Sequence, residues 1–98
     1  MEMDAIRIVI ADDHAILRAG LRSLLSTQED MEVVGEAVNG EEAITMCGEE
    51  KPDVVLLDIR MPGVDGIETA HHLNAMEQPP AIVFATAYDE YALSLIHI

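Results

Sequence analysis

Three carboxylates stand where nearly unbroken apolar runs stop: Asp12 and Asp13 directly after Ile6-Arg7-Ile8-Val9-Ile10-Ala11, and Asp58 directly after Val54-Val55-Leu56-Leu57. Apolar runs of this length read as buried strands, and a carboxylate at the mouth of one costs free energy unless a partner offsets its charge. Brought within a few ångströms, three carboxylates repel one another unless a cation sits among them. An all-oxygen site of modest size suits Mg²⁺, which keeps several waters and accepts a phosphate oxygen as a further ligand. A carboxylate beside such an ion is also a competent nucleophile toward a phosphoryl group, giving an aspartyl phosphate while the metal neutralises charge on the transferred oxygens. Asp58 is the best placed of the three for that role.

The elements that must bring these residues together are short β-branched runs alternating with helical patterns. Ile6 to Ala11 reads as a first strand, and Leu17, Leu21, Leu24 and Leu25 then fall at helical spacing on one face. Glu32 to Val38 is a second strand, closed by the turn pair Asn39-Gly40, and Glu41-Glu42 open a helix whose buried side is Ala43, Ile44 and Cys47. Pro52 ends that helix, and Val54 to Leu57 form the third strand. Pro62-Gly63 mark the loop that follows. Asp65 and Glu68 have capping-box spacing, so a third helix starts near Gly66 and runs through Ile67, Ala70 and Leu73. Pro79-Pro80 precede the fourth strand, Ala81 to Ala85, which ends at Thr86, and Asp89 to Leu93 begin a fourth helix. The alternation predicts an α/β fold, a doubly wound parallel sheet of flavodoxin-like order with the first and third strands adjacent. Ligand chemistry in such a sheet sits at the carboxyl ends of the strands. Asp12 and Asp13 would then meet Asp58, since neighbouring strands lie about 4.8 Å apart.

Composition narrows the function classes. The chain has 98 residues, with 5 Lys plus Arg against 19 Asp plus Glu for a formal net charge of −14, and half of its residues are hydrophobic. That is room for one core, and a second domain must lie elsewhere. Such an acidic surface repels nucleic acid, whose binding rests on Lys and Arg neutralising phosphates. Cys47 is the single cysteine, which excludes an internal disulfide or a cysteine-cluster zinc site. The start carries acids where a signal peptide would carry basic residues, and no apolar stretch approaches a membrane span, so the expected location is the cytoplasm. The six glycines lack Gly-x-Gly-x-x-Gly or Walker spacing, which counts against a nucleotide site. His71 and His72 point about 100° apart on a helix and cannot share one ion, so they read as surface residues. Cys47 and Met46 read as helix packing.

Asp12-Asp13 after the first strand, Asp58 followed by Met61-Pro62-Gly63, and Thr86-Ala87 after the fourth strand are together similar to the receiver domain of bacterial two-component response regulators. The resemblance covers about residues 6 to 93. It implies a five-stranded, CheY-like fold in which Asp58 is the phosphoacceptor and Asp13 binds Mg²⁺ directly. It further implies that Asp12 assists through water and that the backbone carbonyl of Arg60 completes the metal shell. Thr86 matches the residue whose hydroxyl meets the phosphoryl group and couples it to the following loop. The implied partner is a sensor histidine kinase, and the implied role is transcription regulation, with DNA reached only through an output domain outside this chain. Ile-Ala-Asp-Asp-His resembles regulators with a helix-turn-helix output, whereas Phe-Ala-Thr-Ala-Tyr-Asp-Glu-Tyr-Ala-Leu resembles LytTR-type regulators.

The departure from the family pattern lies at the end. A complete receiver continues into a fifth strand ending in Lys and a fifth helix, where Ser94 to Ile98 stand here. The only lysine, Lys51, precedes the third strand, at the wrong end of the sheet for phosphate contact. The expected organisation is therefore a receiver domain over residues 1–93 with four strands of five, followed by an atypical tail over 94–98. A bare edge on the fourth strand points to self-association or a homodimer. An alternative reading is a receiver-shaped binding or dimerisation module that is not phosphorylated. An Asp-nucleophile phosphatase would want an acid-base carboxylate two residues after Asp58, where Arg60 stands. Taken singly, Asp12 or Asp13 could be a helix N-cap, Asp58 a strand terminator and Thr86 an ordinary strand residue.

Overall fold

Strands and helices alternate along the chain in the computed structural model, which describes residues 5–58 and 66–84. The order is β1 (Ile6–Ala11), α1 (Ala15–Ser26), β2 (Met31–Ala37), α2 (Gly40–Glu50), β3 (Val54–Leu57), α3 (Gly66–Asn74) and β4 (Ala81–Phe84). The strands form one sheet in the order β2-β1-β3-β4, every pair parallel. The adjacency of β1 and β3 expected from right-handed crossovers is the observed one. The fourth helix, the capping residue Asp65 and the 94–98 tail fall outside the described residues.

The register decides what the sheet can do. Ile8 pairs with Val54 and Ala11 with Leu57, so β1 and β3 end level with each other. The ladder runs one residue further: the Asp58 amide donates to the Ala11 carbonyl and the Asp12 amide to the Ala37 carbonyl, both at 2.9 Å. Asp12 and Asp58 are thereby fixed in the same pleat row at the carboxyl end of the sheet.

Alternation along each strand sorts the core into two faces. Val9, Ala11, Val55 and Leu57 turn to one side, where Ala37, Ala43, Cys47, Ala70 and Leu73 bury against them. Alanine at 11, 37 and 43 leaves α2 free to sit close to the sheet, and all three are completely buried. Burial pushes the Cys47 thiol up to about 11, which leaves it inert at neutral pH and in the packing role its position suggested. Ile8 and Ile10 turn to the opposite face, along which α1 packs on β1 and β2.

Two helix faces differ from the expected ones. Helical spacing groups Leu24 with Leu17, Leu21 and Leu25, yet it is 64% exposed, and Ile16 is 90% exposed. At about 100° per residue, Leu24 lies some 20° behind Leu17 while Leu21 and Leu25 lie ahead of it. The strip of sheet that α1 covers is narrower than its apolar arc, and Leu24 falls off the trailing edge. On α3 the buried stripe is Gly66, Thr69, Ala70 and Leu73, and Ile67, one residue round from Gly66, is 45% exposed.

Asn39 caps α2 by accepting the Glu42 amide at 2.8 Å, while the Glu42 carboxylate accepts the Val38 amide at 3.1 Å. This reciprocal clasp is why Asn39-Gly40-Glu41-Glu42 starts a helix where it does. At the other end Lys51 takes a left-handed conformation, φ 49°, and returns its amide to the Cys47 carbonyl at 3.0 Å before Pro52 forbids a further turn.

A close approach to the backbone lies on β2, at Gly35. An extra residue enters the ladder between Ile8 and Val9, bringing Gly35 opposite Val9, and a Cβ at Gly35 would sit 2.3 Å from the Met46 sulfur. Because the atoms met are those of the flexible, half-buried Met46 side chain, Gly35→Ala is expected to cost about 1 kcal/mol, the low end of an overpacking change. Much of that loss should vanish when Met46 is already Ala, a coupling readable from urea midpoints of the two single variants and the double variant. Additive losses would show that Met46 moves aside freely.

Candidate functional site

At the carboxyl end of the sheet the chain turns through Asp12-Asp13-His14 before α1. Asp12 is 2% exposed and Asp58 3%, whereas Asp13 and His14 reach solvent. The Asp12 carboxylate folds forward so that Oδ1 accepts the His14 backbone amide at 2.8 Å. One oxygen of Asp12 therefore does act locally ahead of α1, as a simple capping role would have it. The other does not: Oδ2 is buried and meets no hydrogen-bond partner among the described residues. A buried carboxylate oxygen in that state is destabilising by itself and marks a place for a cation or an ordered water.

Carboxylate oxygens of Asp12, Asp13 and Asp58 and a ring nitrogen of His14 all lie within 4.8 Å of one another, the composition of a site that can hold a metal ion. The structure thus brings together the three acids that stand out in the sequence. Arg60 and Thr86, the other two candidates, fall outside the described residues, as does Met61-Pro62-Gly63. His71 and His72 are exposed, in keeping with a surface role.

Two residues at this end carry no clear mark in the sequence. His14 Nδ1 stands 2.8 Å from Asp12 Oδ1, 3.1 Å from Asp13 Oδ1 and 3.6 Å from Asp58 Oδ2. Its pKa is raised, chiefly by the hydrogen bond to Asp12 and then by the charge of Asp13, which together outweigh desolvation. Arg18, one helical turn further on, sends Nη1 back to the Asp12 carbonyl at 2.7 Å and Nε to Glu36 Oε1 at 3.3 Å. Glu36 also receives Arg22 Nη1, at 2.9 Å, so a carboxylate on β2 steadies the arginine that steadies the acidic turn. The only sequence signals are the contiguity of His14 with the acid pair and the i to i+4 spacing of Arg18 and Arg22 on the sheet side of α1.

Residues 8–97 match the family model of the response regulator receiver domain. The chain belongs to that family. Among its relatives, the positive alginate biosynthesis regulatory protein of Pseudomonas aeruginosa is 45% identical over 92 residues, which are 93% of this chain and 37% of that protein. The sensory transduction protein LytT of Bacillus anthracis is 41% identical over 93 residues, 95% of this chain and 38% of that protein. Among solved structures, the signal receiver domain of the putative response regulator NarL from Mycobacterium tuberculosis superposes with a TM-score of 0.85 at 37% identity. That match covers 96% of this chain and 76% of the other. This receiver domain spans a little over a third of the length of these curated relatives. No helix among its described residues is long and apolar enough to cross a membrane.

Proposed function

We propose that this receiver domain is a phosphoacceptor, and that Asp58 takes a phosphoryl group from a sensor histidine kinase in the cytoplasm. The observation that carries the reading is the buried Asp58 carboxylate, held at the end of β3 by its amide bond to Ala11, beside two further carboxylates. In the transfer an Asp58 oxygen attacks phosphorus of the donor phosphoimidazole. The P–O bond forms as the P–N bond breaks, and the electron pair stays on the imidazole nitrogen, which takes up a proton. The orphaned Asp12 Oδ2 and the donor set of three carboxylates fit a hard divalent ion. Mg²⁺, when bound, offsets charge on the phosphoryl oxygens. On this reading Asp13 and Asp58 hold the ion with the Arg60 carbonyl, Asp12 orients a water of its shell, and the Thr86 hydroxyl meets the phosphoryl group. The signal then passes to an output that regulates transcription, a reading supported by relatives named as transcriptional regulators, such as BtsR of Salmonella typhimurium.

Acetyl phosphate with Mg²⁺ tests the reading directly. One phosphoryl group should be added, stable in acid, labile to hydroxylamine and mapped to the peptide holding Asp58, and EDTA should prevent it. A hydroxylamine-resistant label, or one on another residue, would overturn the assignment.

A further inference from the structure

We propose that Arg18 is a positioning residue for phosphoryl transfer: by tying the Asp12 carbonyl to Glu36 on β2, its guanidinium aims Asp13, and so sets how tightly the acidic turn holds its cation. This role rests on the reading of the turn as a Mg²⁺ site given above. The contacts close a ring. Asp12 donates its amide to the Ala37 carbonyl at 2.9 Å, and Glu36 is the residue before Ala37 on the same strand. Arg18 Nε donates to Glu36 Oε1 at 3.3 Å, and Arg18 Nη1 returns to the Asp12 carbonyl at 2.7 Å. Both ends of Asp12 are thereby referred to β2, the amide through the ladder and the carbonyl through Arg18. That carbonyl belongs to the planar peptide that joins Asp12 to Asp13, so fixing its direction also fixes the amide and Cα of Asp13. Asp13 is exposed, and packing does little to aim it.

The residue type suits the task. Two nitrogens of one rigid plane hold two acceptors at a set separation, whereas a lysine ammonium is a single point on a flexible stem. Arg22 supplies an internal contrast. It donates to the same Glu36 carboxylate at 2.9 Å, but it is 66% exposed against 17% for Arg18, and among the described residues it makes no bond to the acidic turn. The two arginines carry the same charge, share an anchor and differ in the contact with Asp12. Charge and positioning predict effects of opposite sign. Removing a cation beside a group of carboxylates strengthens their attraction for a divalent ion, while losing the aim of Asp13 weakens it.

Mg²⁺ titrations of the full 98-residue chain, followed by ¹⁵N NMR of amides 11 to 14 and 58, separate the two. Arg18→Gln should weaken Mg²⁺ binding by about tenfold, the scale seen when a residue that orients a metal ligand is lost. Arg22→Gln should leave it within about twofold of the parent, as befits an exposed ion pair. Arg18→Lys keeps the charge and should recover only a minor part of the loss. In the metal-free chain the ¹³C resonance of the Asp12 carbonyl should move in Arg18→Gln and stay in place in Arg22→Gln. Glu36→Gln, which leaves Arg18 without its anchor, should weaken Mg²⁺ in the same direction by a smaller factor, and it decides the matter if Arg18→Gln does not fold. Mg²⁺ binding in Arg18→Gln as tight as in the parent, or tighter, would overturn the proposal, as would full rescue by lysine. A parent chain whose amides ignore Mg²⁺ would bring down the cation site and the role of Arg18 together. One that binds Mg²⁺ yet takes no label from acetyl phosphate would fail the phosphoacceptor reading alone.

Discussion

Asp58→Asn should remove labelling by acetyl phosphate or a phosphorylated kinase, a fall of about a thousandfold or more, with the fold intact. The amide oxygen of Asn has no charge to donate to phosphorus, and loss of a covalent nucleophile is an effect of this order where the residue acts as one. The control on structure is favourable. Asn matches Asp in size, the residue is 3% exposed, and its backbone bond to Ala11 does not involve the side chain. Removing one charge from a crowded set of acids also lowers their mutual repulsion, so the variant should melt no earlier than the parent. Phosphotransfer assays beside thermal unfolding check both halves. Undiminished labelling of Asp58→Asn would show that another carboxylate is the acceptor, with Asp13 the first to examine.

Most of the fold is legible in the sequence because its strands are strongly apolar runs and its breaks are chemically sharp. Ile6 to Ala11 and Val54 to Leu57 contain almost nothing but apolar residues, as strands covered on both faces do. Asn39-Gly40 and Pro52 could only be boundaries. The juxtaposition of Asp12 with Asp58 follows from one topological rule, and register then sets the two level on neighbouring strands. What the sequence conceals is how wide each neighbour is. Periodicity groups Leu24 with Leu21 and Leu25, but only the extent of sheet beneath α1 decides which of them is covered. The same holds on α3, where Thr69 rather than Ile67 faces the core.

The site shows a complementary limit. Carboxylates announce themselves by standing at the ends of apolar runs, where their type is out of place. His14 does not, since a histidine after two acids is unremarkable until the Asp12 side chain folds forward onto its amide and carries the ring over the cluster. Arg18 is hidden for a similar reason. Its contact with the acidic turn is to a backbone carbonyl, which every residue possesses, so no residue type in the sequence names that partner.

Leu57→Ala should be among the most damaging substitutions in the core, costing about 2–5 kcal/mol, whereas Leu24→Ala should change stability by less than about 0.5 kcal/mol. Leu57 is completely buried, pairs with Ala11 on one side and Phe84 on the other, and belongs to the face packed beneath α2 and α3. Ala11, Ala37 and Ala43 cannot expand into the space its side chain would leave, and Val9 and Val55 are held by the ladder, so the cavity would collapse only in part. A small domain has about 5–15 kcal/mol in all, and the lower half of that range would leave Leu57→Ala with a measurable unfolded population. The melting temperature should fall by about 10 °C or more, while that of Leu24→Ala stays within a few degrees of the parent. Because Leu57 immediately precedes Asp58, a partially collapsed cavity also loosens the strand end that aims the carboxylate. The rate of labelling by acetyl phosphate should therefore drop in Leu57→Ala even below its melting transition. Equal losses from the two leucines in urea unfolding would mean that α1 buries its trailing edge as deeply as β3 buries its last residue, and the width of sheet beneath α1 would then not be what leaves Leu24 exposed.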